Sequence, residues 1–249
     1  MAKEELIPRL IHCCWFGGKE MPALARKCMN SWKEFNPQYE IKIWNENNFD
    51  INSNQYTREA YEKKKWAFVT DYVRLKVLYD YGGIYMDTDV EVLKPLDRFL
   101  TLSAFSGFES NVTIPTGIIG AAKNNYWIEM LLGDYENRKF IKSDGSMDYT
   151  TNVESITATT QKMYPINLNN TLQSFNEVTI YPFDWFCAKD LTDGIIKKTE
   201  NTYTIHHFAG SWLPPRKQFV SKLTDIIGAK CVMKLVEIKH WIEGCESNK

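Results

Sequence analysis

An α/β domain built on a largely parallel sheet is the fold class the chain predicts, from three observations. Residues 6–44 read as strand, helix, strand, an order that favours parallel strands joined by a right-handed crossover. Residues 67–81 form a long helical stripe that runs without a linker into the apolar strand 84–90. With 249 residues, 44% of them hydrophobic, the chain is long enough to bury a substantial core.

Leu6 to Phe16 is apolar and β-branched, interrupted by Pro8, and stops at Gly17-Gly18: a strand followed by a turn. Pro22 to Phe35 spaces Leu24, Cys28, Met29 and Trp32 as a helix does, with Pro22 at its start and Asn36-Pro37 beyond its end. Tyr39 to Trp44 is the second strand. Ala67 to Tyr81 aligns Phe68, Tyr72, Leu75 and Tyr79 on one face, and Gly82 stands where a C-terminal cap belongs. Strands are expected at 103–108, 112–120, 175–181 and 202–208, and helices at 125–137 and 151–164. Ser143 to Ser146 reads as a loop. Residues 216–241 carry two helical patterns divided by Gly228, slightly basic, which read as a tail (216–249) packed on a single domain spanning 1–249.

Composition excludes several functions. Thirty basic and 31 acidic residues leave a formal net charge of −1, so no broad positive field exists to attract nucleic acid. The N-terminus has no secretory apolar core, and no apolar run approaches the ~20 residues that span a bilayer. A cytoplasmic protein is expected, with weak peripheral contact of the basic tail at the inner membrane face as an alternative to packing. Six cysteines without a paired spacing read as reduced thiols.

The segment Gly82-Gly83-Ile84-Tyr85-Met86-Asp87-Thr88-Asp89-Val90 carries the chemistry. In an extended strand, side chains two apart share a face, so Asp87 and Asp89 would point the same way. Adjacent carboxylates repel unless a cation lies between them, and Mg²⁺ or Mn²⁺ with oxygen ligands is the natural occupant. The plain alternative is a solvated acidic turn at a strand end.

Four further segments align with this one: Ile11 to Gly18, Ser31 to Asn47, Ala67 to Tyr85, and His206-His207-Phe208-Ala209-Gly210-Ser211-Trp212. In this order and spacing the chain resembles the Asp-x-Asp sugar transferases of glycosyltransferase family 32, which include yeast mannosyltransferases and bacterial capsule enzymes. It is also similar to the catalytic domain of clostridial glucosylating toxins and, more distantly, to family 8. The resemblance covers residues 6–96 and 203–213. It implies a GT-A fold, a Rossmann-like mixed sheet flanked by helices, with the nucleotide near the carboxyl ends of the strands. It further implies Mn²⁺ or Mg²⁺ held by Asp87, Asp89 and His207, with His206 on the opposite face. Trp15 would stack on the base, Asn47 would touch ribose or base, and Tyr85 would lie near the phosphates. Asp71 and Arg74 would contact donor hydroxyls, and Gly210, Ser211 and Trp212 would close over the diphosphate.

The implied activity is a retaining, metal-dependent transfer of a hexose from a nucleotide-sugar, UDP-sugar favoured. The acceptor would be a glycan or lipid-linked glycan of a bacterial surface polysaccharide. A GDP-mannose-dependent mannosyltransferase would keep every one of these motifs. A metal-dependent phosphohydrolase would call for more ligands than four histidines suggest. A non-catalytic sugar-binding module would retain Trp15 and Trp212 but has no need of Asp87, Asp89 and Arg74 together.

Overall fold

The computed structural model describes residues 4–115, 117–190 and 194–210. Strand β1 (Leu10–Cys14) leads through the Gly17-Gly18 turn to helix α1 (Ala23–Phe35), and β2 (Glu40–Trp44) follows. β1 and β2 pair in parallel, Leu10 opposite Glu40 and Cys14 opposite Trp44. Helix α2 (Gln55–Glu62) was not expected; it is capped by Asn54, whose side chain accepts from Thr57 N. Helix α3 (Trp66–Tyr81) ends at Gly82 as the sequence predicts, the Gly82 N–H reaching Leu78 O.

Next come β3 (Gly83–Met86), β4 (Val90–Val92), β5 (Ala104–Gly107) and β6 (Ile118–Ala121). Helices α4 (Tyr126–Gly133) and α5 (Asn152–Met163) follow. Strands β7 (Gln173–Ser174) and β8 (Thr179–Tyr181), helix α6 (Phe183–Phe186) and strand β9 (Thr204–His206) close the order. The threonine-rich α5 has weak helix propensity, offset by a capping box in which Thr151 and Glu154 satisfy each other's backbone N–H groups.

Seven strands form one mixed sheet in the order β2-β1-β3-β6-β5-β8-β7, and β4 pairs with β9 in a separate antiparallel ribbon. β1 to β3 are parallel, whereas β6 runs against both β3 and β5. Strand β3 is buried on both faces: Ile84 and Met86 join one apolar cluster with Trp32 and Phe99, while Tyr85 joins another with Tyr72 and Trp127. That double burial explains its unbroken apolar run.

Two glycines set where β3 starts. Gly82 (φ 66°) and Gly83 (φ 112°) both adopt positive φ. A Cβ on Gly83 would lie 2.5 Å from Leu10 O, so the close approach of β3 to β1 also demands glycine.

Several strands are shorter than the sequence suggests. The apolar run 112–120 yields only β6, because Pro115 removes a ladder donor. Residues 175–181 contribute β8 only, which pairs antiparallel with the preceding β7. Cys13, Cys14, Cys28 and Cys187 are buried free thiols. No helix among the described residues is long and apolar enough to cross a membrane. The expected tail helices of 216–249 lie outside the described residues.

Candidate active site

Two structural pieces meet at the carboxyl end of β3. The first is the wall formed by α3 and β3. Here Arg74, 8% exposed, lies with its guanidinium carbon 4.7 Å from the centre of the Tyr85 ring. Its Nη2 stands 3.3 Å from both Asp71 Oδ1 and Asp87 Oδ1. The Tyr85 hydroxyl donates to Asp87 Oδ1 at 2.9 Å. Burial pushes the Asp71 carboxyl up, to about 6, against the opposing pull of Arg74. Burial works against the charge of Arg74, but Asp87, Tyr85 and Asp71 outweigh it and hold the guanidinium charged.

The second piece is the β4–β9 ribbon. Asp87 and Asp89 were expected on one extended strand, but β3 stops at Met86 and the chain turns, Val90 N donating to Asp87 O at 3.0 Å. Val90 then pairs with His206 in the ribbon. The carboxylates therefore converge through a turn and not through the strand pleat. Asp89 Oδ2 accepts from Ala209 N at 2.7 Å, and Asp89 O accepts from His207 N at 3.0 Å.

The two histidines stand the other way round from the expectation. His206, 8% exposed, places Nε2 3.4 Å from Asp89 Oδ1. His207 turns away, its Nε2 2.7 Å from Glu91 Oε2, which Lys27 Nζ also approaches at 2.9 Å. The ribbon register sets the two histidines apart: Val90 and His206 pair and share one face, Glu91 and His207 lie on the other, and Asp89 reaches His206 from the turn before β4. Burial raises the Asp89 carboxyl, but the charge and hydrogen bonding of His206 outweigh it and bring the group down to about 2. His206 is correspondingly pushed up, since the attraction of Asp89 exceeds the cost of burying its charge.

Asp87, Asp89 and His206 each bring one ligand atom to within 4.8 Å of the others. Two carboxylate oxygens and one imidazole nitrogen suit a divalent ion, and the nitrogen suits Mn²⁺ better than Mg²⁺. This donor set fits the expected cation with His206 in place of His207.

Other expected residues are spread around this centre. Trp15 is half-buried just past β1, its Nε1 donating to Lys19 O at 2.5 Å. Beside it, Glu46 accepts from Gly17 N at 3.1 Å. Asn47 is exposed in the turn after β2, bonded locally to Asn45, and no hydrogen bond joins it to the acidic centre among the described residues. Gly210 ends the described segment with φ 60°. Ser211 and Trp212 lie outside the described residues.

One residue escaped the sequence reading. Glu109 follows β5, with Oε1 3.9 Å from His206 Nδ1. Asn152, at the start of α5, comes near enough to Asp71 to lower its pKa, although neither amide atom completes a hydrogen bond. A lone acid after the apolar run 104–108 was the one available signal for Glu109.

Residues 22–106 match the family described as "Glycosyltransferase sugar-binding region containing DXD motif". The chain is 25% identical over 236 residues to an uncharacterized glycosyltransferase of Acanthamoeba polyphaga mimivirus, covering 85% of this chain and 86% of the viral one. It is 29% identical over 127 residues to inositol phosphoceramide mannosyltransferase 3 of Schizosaccharomyces pombe, covering 48% of this chain but 34% of the yeast protein. Among solved structures, the PaToxG glycosyltransferase superposes with a TM-score of 0.50 at 19% identity, over 65% of this chain and 70% of that one. The fold is that of the GT-A glycosyltransferases, and the chain is a glycosyltransferase with a DXD motif.

Proposed function

We propose that the chain is a retaining, metal-dependent hexosyltransferase that uses a nucleotide-sugar, with a UDP-sugar favoured, and a glycan or lipid-linked glycan acceptor. The observation that carries this reading is the meeting of Asp87, Asp89 and His206 beside the buried Arg74–Asp71 pair. Transfer cleaves the bond between the anomeric carbon and the diphosphate, and negative charge collects on the departing oxygens. A divalent ion held by the three side chains supplies the charge neutralisation this requires.

The chain's own groups do the rest. Arg74 is fixed between Asp71 and Asp87, so the donor's hydroxyls meet a guanidinium and carboxylate that need not reorganise. Asp71, whose carboxyl burial raises to about 6, is still ionised at pH 7 and accepts a hydrogen bond from a sugar hydroxyl. Trp15 offers a ring for the base, and the segment from Gly210 through Ser211 and Trp212 would cover the diphosphate. By its resemblance to capsule transferases, the acceptor is a surface polysaccharide in the making, reached from the cytoplasmic face.

One observation favours a second donor: several relatives are named mannosyltransferases, which supports GDP-mannose. Thermal unfolding with Mn²⁺ plus UDP or GDP separates the two, since selective binding raises apparent stability by RT ln(1 + [L]/Kd). A shift of the midpoint with UDP greater than with GDP is expected, together with slow Mn²⁺-dependent hydrolysis of the matching donor. No shift with either nucleotide, and no turnover, would refute the transferase site as drawn.

A further inference from the structure

We infer that Glu109 is a positioning residue for His206, accepting the Nδ1 hydrogen so that Nε2 faces the Asp87–Asp89 centre. The inference rests on the metal-binding reading above and extends it to a residue outside every motif.

His206 Nδ1 is a buried nitrogen with no hydrogen-bond partner. Leaving a buried polar nitrogen unsatisfied is costly, so a partner should be near. Glu109 Oε1 at 3.9 Å is the acidic group facing it, too far for a full hydrogen bond and near enough to make one after a small rotation. The other ring nitrogen, Nε2, is the one turned towards Asp89. The ring itself is confined: a Cβ on Gly117 would come within 3.1 Å of Nδ1 and Cε1, and the Phe208 ring centre lies 4.1 Å from that of His206.

Glu109 is well placed for this work. Its backbone is anchored at the end of β5, with Glu109 N donating to Thr113 O at 3.0 Å and Phe108 N to Tyr181 O at 2.9 Å. Its carboxylate makes no hydrogen bond to another described residue, and burial raises its pKa, so it gains from an N–H partner. A metal-ligating imidazole commonly donates its second N–H to a carboxylate, which fixes the tautomer and the ring plane.

The test uses Mn²⁺ binding by the whole chain, read as free Mn²⁺ by electron paramagnetic resonance, with UDP present and no transfer measured. Glu109→Leu should weaken Mn²⁺ by about 10–100-fold. Glu109→Gln, whose amide oxygen still accepts from Nδ1–H, should recover most of that loss. Equal affinity of Glu109→Leu and wild type would overturn the inference, as would equal losses in Leu and Gln. Should the Leu variant not fold, ¹⁵N spectra of the Cd²⁺-loaded wild type decide. A protonated Nδ1 whose shift moves in Glu109→Gln supports the assignment; Cd²⁺ on Nδ1 overturns it. Wild type that binds no Mn²⁺ at all refutes the parent metal reading instead, an outcome distinct from a Glu109 failure.

Discussion

The two walls of the site neutralise their acids differently. On the α3–β3 wall, Asp71 and Asp87 share Arg74, a permanent cation buried beneath them. On the ribbon wall, Asp89 faces His206, whose charge depends on a proton and whose Nε2 could equally serve as a ligand. The first wall is built from a 16-residue helix and a strand buried on both faces. The second comes from two three-residue strands. A fixed cation belongs to the scaffold, whereas a site that takes up and releases an ion needs exchangeable compensation. The division suggests that α3–β3 holds the donor sugar and the ribbon answers to the cation.

The largest expected effect separates the walls directly. Asp89→Asn should abolish Mn²⁺ binding and reduce transfer on the order of 10³-fold, since it removes a ligand of the cation that would neutralise the leaving diphosphate. Arg74→Met should instead cost about 3–5 kcal/mol of folding stability with or without metal, because it leaves two acids without their buried cation. Urea unfolding beside Mn²⁺ titration reads both. Metal-dependent destabilisation in the Arg74 variant would mean that the walls act as one unit.

How much was legible in the sequence follows the same division. Helix α3 and its Gly82 cap could be read because helical spacing is local, whereas Asp71 and Arg74 were singled out by the family resemblance, and in the helix they also form an i, i+3 ion pair. The Asp87–Asp89 pair was legible too, yet for a reason the structure replaces: a turn, not a pleat, brings the carboxylates together. Helix α2 was missed because only Tyr56, Thr57 and Ala60 of it are buried, too few to print an apolar stripe, although Asn54 was a visible cap. Glu109 and His206 depend on ribbon register and on a loop after β5, which are long-range facts. Local patterns therefore gave the scaffold wall, and pairing between distant strands decided the other.

The sheet beneath the site should also be acid-sensitive. His12 is fully buried between strands, its Nδ1 3.0 Å from the Trp44 indole N–H and its Nε2 2.8 Å from Gly82 O. Trp44 can only donate, so Nδ1 accepts, Nε2 carries the hydrogen and the ring is neutral. Burial brings its pKa from 6.5 to about 4. Above pH 6.5 the resulting stability is fully present. It is lost as pH falls towards 4, because the unfolded chain takes the proton first. Between pH 7 and pH 5 the loss should be about 2 kcal/mol. His12→Phe cannot titrate there and should lose less stability over that interval by chemical denaturation. Identical pH slopes in the two proteins would remove His12 from the account and leave the parallel strands without this built-in acid limit.

The smallest effect bears most closely on the comparison, because it reports the ribbon register itself. A slip of one residue between β4 and β9 would exchange the faces of His206 and His207. In the observed register His207 is engaged by Glu91, with Lys27 beside it, and none of these three lies among the converging ligands. His207→Ala should then cost about 0.5–1.5 kcal/mol of stability, the worth of an ordinary hydrogen bond, and leave Mn²⁺ affinity within a few-fold of wild type. His206→Ala should lose most of that affinity. The pair can be measured in one titration series. Were His207→Ala the variant that fails to bind Mn²⁺, the ribbon would have to be paired one residue out of step. Asp89 would then face the imidazole that now holds Glu91, and the assignment of the exchangeable wall would pass from His206 to His207.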